Sequence, residues 1–150
     1  MTSAKKRMSV ASWVLTALCM AAIFYFSHQT GDESARVSVE VYSGIFALLG
    51  QLVERIGHNG VRTLAHFAEY CTLGFLMSTS LMFTCSKQRP WLAWGAAVAY
   101  AVTDEIHQIF VPGRAFQLSD MAVDAAGALL GIGIFCLLAW LVQKIRQGRH

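Results

Sequence analysis

Residues 119–142 read SDMAVDAAGALLGIGIFCLLAWLV. From Met121 to Val142 the only charge is Asp124, and these 22 residues, as a helix rising 1.5 Å per residue, reach about 33 Å. That length crosses a hydrocarbon core of about 30 Å. Asp120, Asp124, Gly127 and Gly131 recur at i, i+4, i+7 and i+11 and so form one stripe. Two carboxylates at the membrane surface are thereby continued inward along a GxxxG path that permits close approach of a neighbouring helix. A charge turned towards lipid costs several kcal/mol, so the stripe is expected to face other helices that carry polar groups of their own.

The rest of the chain supplies them. Three further apolar stretches, Val10 to Phe26, Val61 to Phe83 and Trp91 to Val111, are long enough to span. With 55% hydrophobic and 14% charged residues, and a mean hydropathy of +0.48, the chain has too little polar surface to coat a soluble globule. No repeat, low-complexity run or linker divides residues 1–150, which predicts a single domain. The expected fold is all-α, an integral membrane bundle of four transmembrane helices. A fifth stretch, Val41 to Val53, is about 13 residues long and holds Ser43, Gly44, Gly50 and Gln51. Its apolar positions follow helical spacing, which suits an amphipathic interfacial or re-entrant helix between the first and second spans. The first span follows Lys5, Lys6 and Arg7 as a secretory signal would, but Tyr25, Phe26 and His28 crowd its end where a small-residue cleavage site would stand, so it reads as an uncleaved anchor. Cys19, Cys71, Cys85 and Cys136 lack CxxC spacing and are expected as free thiols.

Charge sets the orientation, because short loops rich in Lys and Arg stay in the cytoplasm. Lys5, Lys6, Arg7, Lys87, Arg89, Lys144, Arg146 and Arg149 flank the spans on one side, and none of the nine acidic residues lies in those segments. Both termini and the Cys85 to Pro90 loop are therefore expected inside, in a multi-pass protein of the cytoplasmic (inner) membrane. A fifth span at Val41 to Val53 would carry the later basic segments outside with no gain in charge matching.

That orientation gathers the remaining polar residues towards the outer leaflet. Counted from the outer ends of their spans, His66 and Glu69 lie about 7 and 12 Å deep and Asp104 about 10 Å deep. Asp120 and Asp124 open the fourth span, and Arg114 stands in the Pro112-Gly113-Arg114 turn. On the second span Arg62, His66, Glu69 and Tyr70 share one arc. On the third, Asp104, Glu105, His107 and Gln108 do, backed by Val102, Ile106, Ile109 and Phe110.

At these residues the sequence resembles the VanZ-like membrane proteins, a family named for a factor associated with teicoplanin resistance. The resemblance covers most of the chain. It rests on Phe26-Ser27-His28-Gln29 with Ser34, and on His66-Phe67-Ala68-Glu69-Tyr70 with Leu73-Gly74. Its strongest element is the run from Thr103-Asp104-Glu105-Ile106-His107-Gln108 through Pro112-Gly113-Arg114, followed by Ser119-Asp120, Asp124 and Gly127. The family often shows Asn in place of Asp124 and Ser in place of His28, so neutral hydrogen bonding can serve at those positions. The resemblance implies a multi-pass envelope protein. Ser27, Gln29, Asp104, Gln108, Arg114, Asp120 and Asp124 are the expected substrate-binding residues, and His66, Glu69 and Glu105 the candidates for catalysis.

Two functional classes remain open. In one, the polar site binds a membrane lipid, a lipid-linked envelope precursor or a glycopeptide antibiotic without breaking a bond. In the other it is an enzyme site, with His66 as general base or nucleophile activator oriented by Glu69 or Glu105, one of those acids as proton donor, and Arg114 holding a phosphate or carboxylate. No GxSxG, HExxH or P-loop motif announces a reaction. Carboxylate and imidazole at His66, Glu69, Glu105, Asp120 and Asp124 suit Mg, Mn or Zn, but no spacing is diagnostic, so no metal or cofactor is assigned. Nucleic acid is not an expected partner. Proton-coupled transport is disfavoured, since acids are absent from the inner half. The bland reading of buried His and carboxylates is an interhelical clasp worth about 1 kcal/mol; two acids, Glu69 and Glu105, are more polarity than packing requires. Arg62 and Tyr70 suit snorkelling and interface anchoring, the four Trp residues read as interfacial anchors, and His28, Asp32 and Glu33 equally suit a solvated loop. The orientation is checked by impermeant thiol labelling of intact cells with the native cysteines replaced: Arg114→Cys should label and Lys87→Cys should not.

Overall fold

The computed structural model describes residues 3–30, Glu33, Arg36, Glu40 and 57–148. The Val41 to Val53 segment lies outside them. Four long helices make up the described chain: α1 Ser3–Ser27, α2 Gly57–Cys85, α3 Pro90–Gln108 and α4 Leu118–Gln147. Among the described residues there is no strand, so the class is all-α as expected. Each of α1, α2 and α4 overruns its apolar stretch at both ends. α3 is shorter than predicted, because Ile109 to Val111 leave the helix in tight turns ahead of Pro112, which disfavours helical backbone at the residue before it. Gly113 then takes φ 75°, a left-handed conformation open to glycine at no steric cost. At the other loop Pro90 opens α3 with its φ preset, and Ser86 closes α2 at φ 60°.

The helices are built inside out. The buried positions of α1 are Ser9, Ser12, Thr16, Ile23 and Ser27, while Val14, Leu15, Leu18, Phe24 and Tyr25 are exposed. Hydroxyl groups stitch α1 to α2: Ser9 Oγ and Thr84 Oγ1 lie 3.0 Å apart, as do Thr16 Oγ1 and Ser80 Oγ. α3 turns Ala93, Ala97 and Ala101 inward, and α4 leaves Leu129, Leu130, Ile134, Leu137 and Leu138 outside. Hydroxyls inside and leucines outside suit an apolar surrounding better than water, where the displayed leucines forfeit the hydrophobic driving force. By length and apolarity α1 and α4 can cross a membrane. α2 and α3 do not reach that apolarity. The residues that dilute them include His66, Asp104 and Glu105, all of which are buried.

The most extensive pairing is α2 on α4. It is a backbone contact: a methyl group built at Gly131 collides with the Cys71 carbonyl, one at Gly127 with the Phe67 carbonyl, and one at Gly74 with the Ala128 carbonyl. The small-residue stripe read in α4 is therefore answered by a glycine on α2, and three glycines let the two axes close together. Trp94 Nε1 donates to the Ala125 carbonyl of α4 at 3.1 Å, because an indole N–H that lies between helices takes an acceptor there, and the exposed Trp13 donates to Thr84 Oγ1 at 3.0 Å. All four cysteines are free thiols.

The packing makes a paired prediction for thermal unfolding in detergent. Gly131→Ala should destabilise by about 1–3 kcal/mol, the cost of overpacking. Gly133→Ala, two residues on and facing open space, should be neutral or stabilise by up to about 1 kcal/mol through helix propensity.

Candidate functional site

The glycine contact also decides which polar groups meet. Asp124 lies just under one turn before Gly127, and His66 is the residue before Phe67, whose carbonyl Gly127 touches. As a result His66 Nδ1 and Asp124 Oδ1 lie 3.4 Å apart, with His66 nearly and Asp124 wholly buried. The partner of the histidine is thus the α4 carboxylate rather than Glu69 or Glu105, because α4 is the helix that approaches α2 most closely. Glu69 lies half-buried within electrostatic reach of His66, Asp104 and Asp124.

From α1 and α3 come the other members. Ser27 Oγ donates to Asp104 Oδ2 at 2.8 Å in the interior. Glu105 is fully buried, and its Oε2 accepts the backbone N–H of Gln117 at 2.8 Å. Gln117 is the residue before α4, so this carboxylate anchors the α3–α4 loop and satisfies a donor at a helix entrance. Gln108 is fully buried as well. Asp120 Oδ2 stands 3.6 Å from Arg62 Nη2, in the first turn of α4 where a carboxylate also complements the helix dipole.

Arg114 is half-buried. Its Nε donates to the Gln29 carbonyl at 3.3 Å and its Nη2 to the Phe26 carbonyl at 3.5 Å, so it closes the C-terminal end of α1 as a cation favoured there. Burial and the nearby Arg62 push the Arg114 pKa down, while Asp104, Asp120 and Glu105 draw it up; a guanidinium stays charged throughout. The clamp fixes the loop to α1 and leaves Nη1 buried without a protein partner. Gln29, expected in binding through its side chain, meets Arg114 through its carbonyl, and it lines a separate pocket of about 300 Å³ with Tyr25, His28, Glu33 and Arg36.

Above His66 opens a cleft of about 450 Å³ lined by Arg62, Thr63, His66, Gln117, Ser119, Asp120 and Val123. Two of its lining residues lead inward, His66 to Asp124 and Gln117 to Glu105, and the interior holds several buried polar atoms with no hydrogen-bond partner among the described residues: Asp124 Oδ2, Asp104 Oδ1, Glu105 Oε1, the Tyr70 hydroxyl and both amide atoms of Gln108. Native interiors pair such groups, and those left over are concentrated where proteins do chemistry or hold ligands. No group of three or more His, Cys, Asp or Glu among the described residues is arranged to hold a metal ion.

All of these residues, from Ser27 to Asp124, fall within residues 12–139, which a family profile described as VanZ/LLP1 matches. The chain belongs to the VanZ/LLP1 family. No curated protein and no solved structure matches it at a significant level. In VanZ/LLP1 terms, the long motif in α3 and its loop is doing two jobs in this chain. Asp104 and Gln108 enter the buried cluster, while Glu105 and Arg114 tie the connection to α4 and α1.

Some members escaped the sequence. Tyr70, read as an interface anchor, is fully buried, its ring centroid 6.4 Å from that of Tyr100, whose hydroxyl donates to the Met20 carbonyl at 2.6 Å. Its place on the His66 arc was the available signal. The His28–His107 pair, Nδ1 to Nε2 at 3.1 Å, was invisible because the two lie 79 positions apart. Thr30 and Glu33 form a reciprocal capping box: Glu33 Oε2 accepts the Thr30 N–H at 3.1 Å and Thr30 Oγ1 accepts the Glu33 N–H at 3.3 Å. The T-x-x-E spacing announces this box, and Glu33 is helical rather than part of a loop.

The role of Glu105 yields a stability test. Glu105→Ala strips the Gln117 N–H of its acceptor and should cost about 1–3 kcal/mol in thermal unfolding, whereas Glu105→Gln keeps an acceptor oxygen and should cost less than half as much.

Proposed function

We propose that this VanZ/LLP1 protein is a four-span protein of the cytoplasmic membrane, both ends inside, whose cleft opens to the outer leaflet and holds the polar head of a lipid or lipid-linked envelope precursor. The observation that carries the reading is the convergence of His66, Asp104, Glu105 and Asp124 from three helices beneath one cleft. Buried polar groups of this number are more than a small bundle requires for cohesion, since each interhelical hydrogen bond contributes only about 1 kcal/mol. Apolar residues frame the same end: Ile109, Phe110 and Leu118 stand exposed at the ends of α3 and α4 around the loop that carries Arg114. An amphiphile whose tails remain in lipid and whose head enters sideways fits those surroundings.

The four-span topology draws support from the arrangement of charge. Lys5 contacts Ser86 by side chain, which sets the N-terminal end of α1 beside the C-terminal end of α2, and the basic residues of both segments therefore share one end of the bundle. Envelope homeostasis, with tolerance of glycopeptides such as teicoplanin as its outward sign, is the role that family membership favours.

One observation keeps an enzymatic reading in view. The His66–Asp124 pair has the makings of an acid–base dyad, a histidine held by a buried carboxylate at the floor of a cleft. Substitution separates the two readings. Glu105→Gln retains the loop anchor, so with membrane level verified it isolates the charge: tolerance and lipid-linked precursor pools should both shift, and wild-type behaviour of the variant would refute a role for that carboxylate. His66→Asn preserves hydrogen bonding without proton transfer at neutral pH. Binding predicts that it keeps most of the function that His66→Ala loses; catalysis predicts that both lose it.

A further inference from the structure

The interior of the site is unbalanced in charge. Arg62 answers Asp120, and Arg114 commits two of its nitrogens to carbonyls of the α1 end. That leaves Glu69, Asp104 and Asp124 grouped within electrostatic reach of one another, with His66 in reach of all three and His107 in reach of Asp104. The unpaired atoms there are mostly acceptors: Asp104 Oδ1, Asp124 Oδ2 and Glu105 Oε1. The fully buried Tyr70 hydroxyl, also unpartnered, lies within electrostatic reach of both Asp104 and Asp124. Towards the mouth stand two cations within electrostatic reach of each other: Arg62, which lines the cleft beside Asp120, and Arg114, whose Nη1 is buried without a partner among the described residues.

Resting on the head-group reading above, we propose that the ligand is a zwitterion, with a primary ammonium taken by the carboxylates of Asp104 and Asp124 and an anionic group held at Arg62 and Arg114. A primary ammonium brings three donors and one positive charge, which match oxygens that have no donor and a floor that has too little positive charge. A bare cation is less suited, since no three of these ligands converge on one point among the described residues. Spacing agrees. Arg62 to His66 on α2 and Asp120 to Asp124 on α4 are each four residues, about 6 Å along the axis, so the two charged layers stand a short two-carbon linker apart.

The test uses the purified full chain in detergent, titrated with phosphatidylethanolamine, phosphatidylcholine and phosphatidylglycerol, with the thermal midpoint as readout. The three lipids share a phosphate and differ in the group beyond it. Phosphatidylethanolamine should raise the midpoint at a concentration at least about tenfold lower than the other two, because trimethylation removes every ammonium donor and glycerol removes the charge. Asp104→Asn should weaken phosphatidylethanolamine about tenfold and leave phosphatidylglycerol unchanged, while Asp124→Asn, whose amide oxygen still accepts from an ammonium, should weaken it less. Soluble phosphoethanolamine should compete where phosphocholine does not, which separates recognition of the head from recognition of the chains. Should either variant fail to fold, the comparison of lipids on the unaltered chain still decides. Equal response to all three lipids would overturn ammonium recognition and leave head-group binding standing; no response to any would overturn both.

Discussion

The structure depends on the contact of α2 with α4 at backbone distance. Gly127 and Gly131 of α4 and Gly74 of α2 each face a carbonyl where no Cβ fits. In lipid there is no hydrophobic force to drive helices together, so close van der Waals contact supplies much of the cohesion, and glycine maximises it. The same approach brings Asp124 to His66, so packing and site are set by one geometric fact. α3 closes the arrangement through alanines at Ala93, Ala97 and Ala101, which let Asp104, Glu105 and Gln108 enter the interior at its far end.

Around that contact, polarity divides along the bundle. The end that carries Lys5 is held by hydroxyls, Ser9 and Thr16 of α1 against Thr84 and Ser80 of α2, which satisfy one another without charge. The opposite end carries Asp104, Glu105, Asp120 and Asp124 with His66, Arg62 and Arg114. A hydroxyl pair is inert scaffolding, whereas buried carboxylates beside an imidazole are costly to keep in a bilayer and are characteristic of function. The scaffold thus holds the polar end in place, with Arg114 and Glu105 serving as its ties to α1 and to the loop.

Periodicity in the sequence revealed the helices, the α4 stripe and the arcs on α2 and α3, because helical geometry converts spacing directly into faces. Each arc marked which polar residues share a face of one helix. Pairings were beyond periodicity. Nothing in the chain marks Asp124 rather than Glu69 as the partner of His66, since that depends on how near two helices come and at what register. The structural duties of Glu105 and Arg114 were hidden for a related reason: both act on backbone atoms, Gln117 N–H and the carbonyls of Phe26 and Gln29, and a backbone atom leaves no signature in sequence. Tyr70 stands at an interfacial position along its span, yet its place on the polar arc of α2 turns it into the interior.

The account stands or falls on whether His66 of α2 and Asp124 of α4 are physical partners. A double-mutant cycle of His66→Ala and Asp124→Ala, read by thermal unfolding in detergent, measures this directly. Contact predicts a coupling energy of about 0.5–3 kcal/mol between the two substitutions, and additivity within about 0.3 kcal/mol would contradict it.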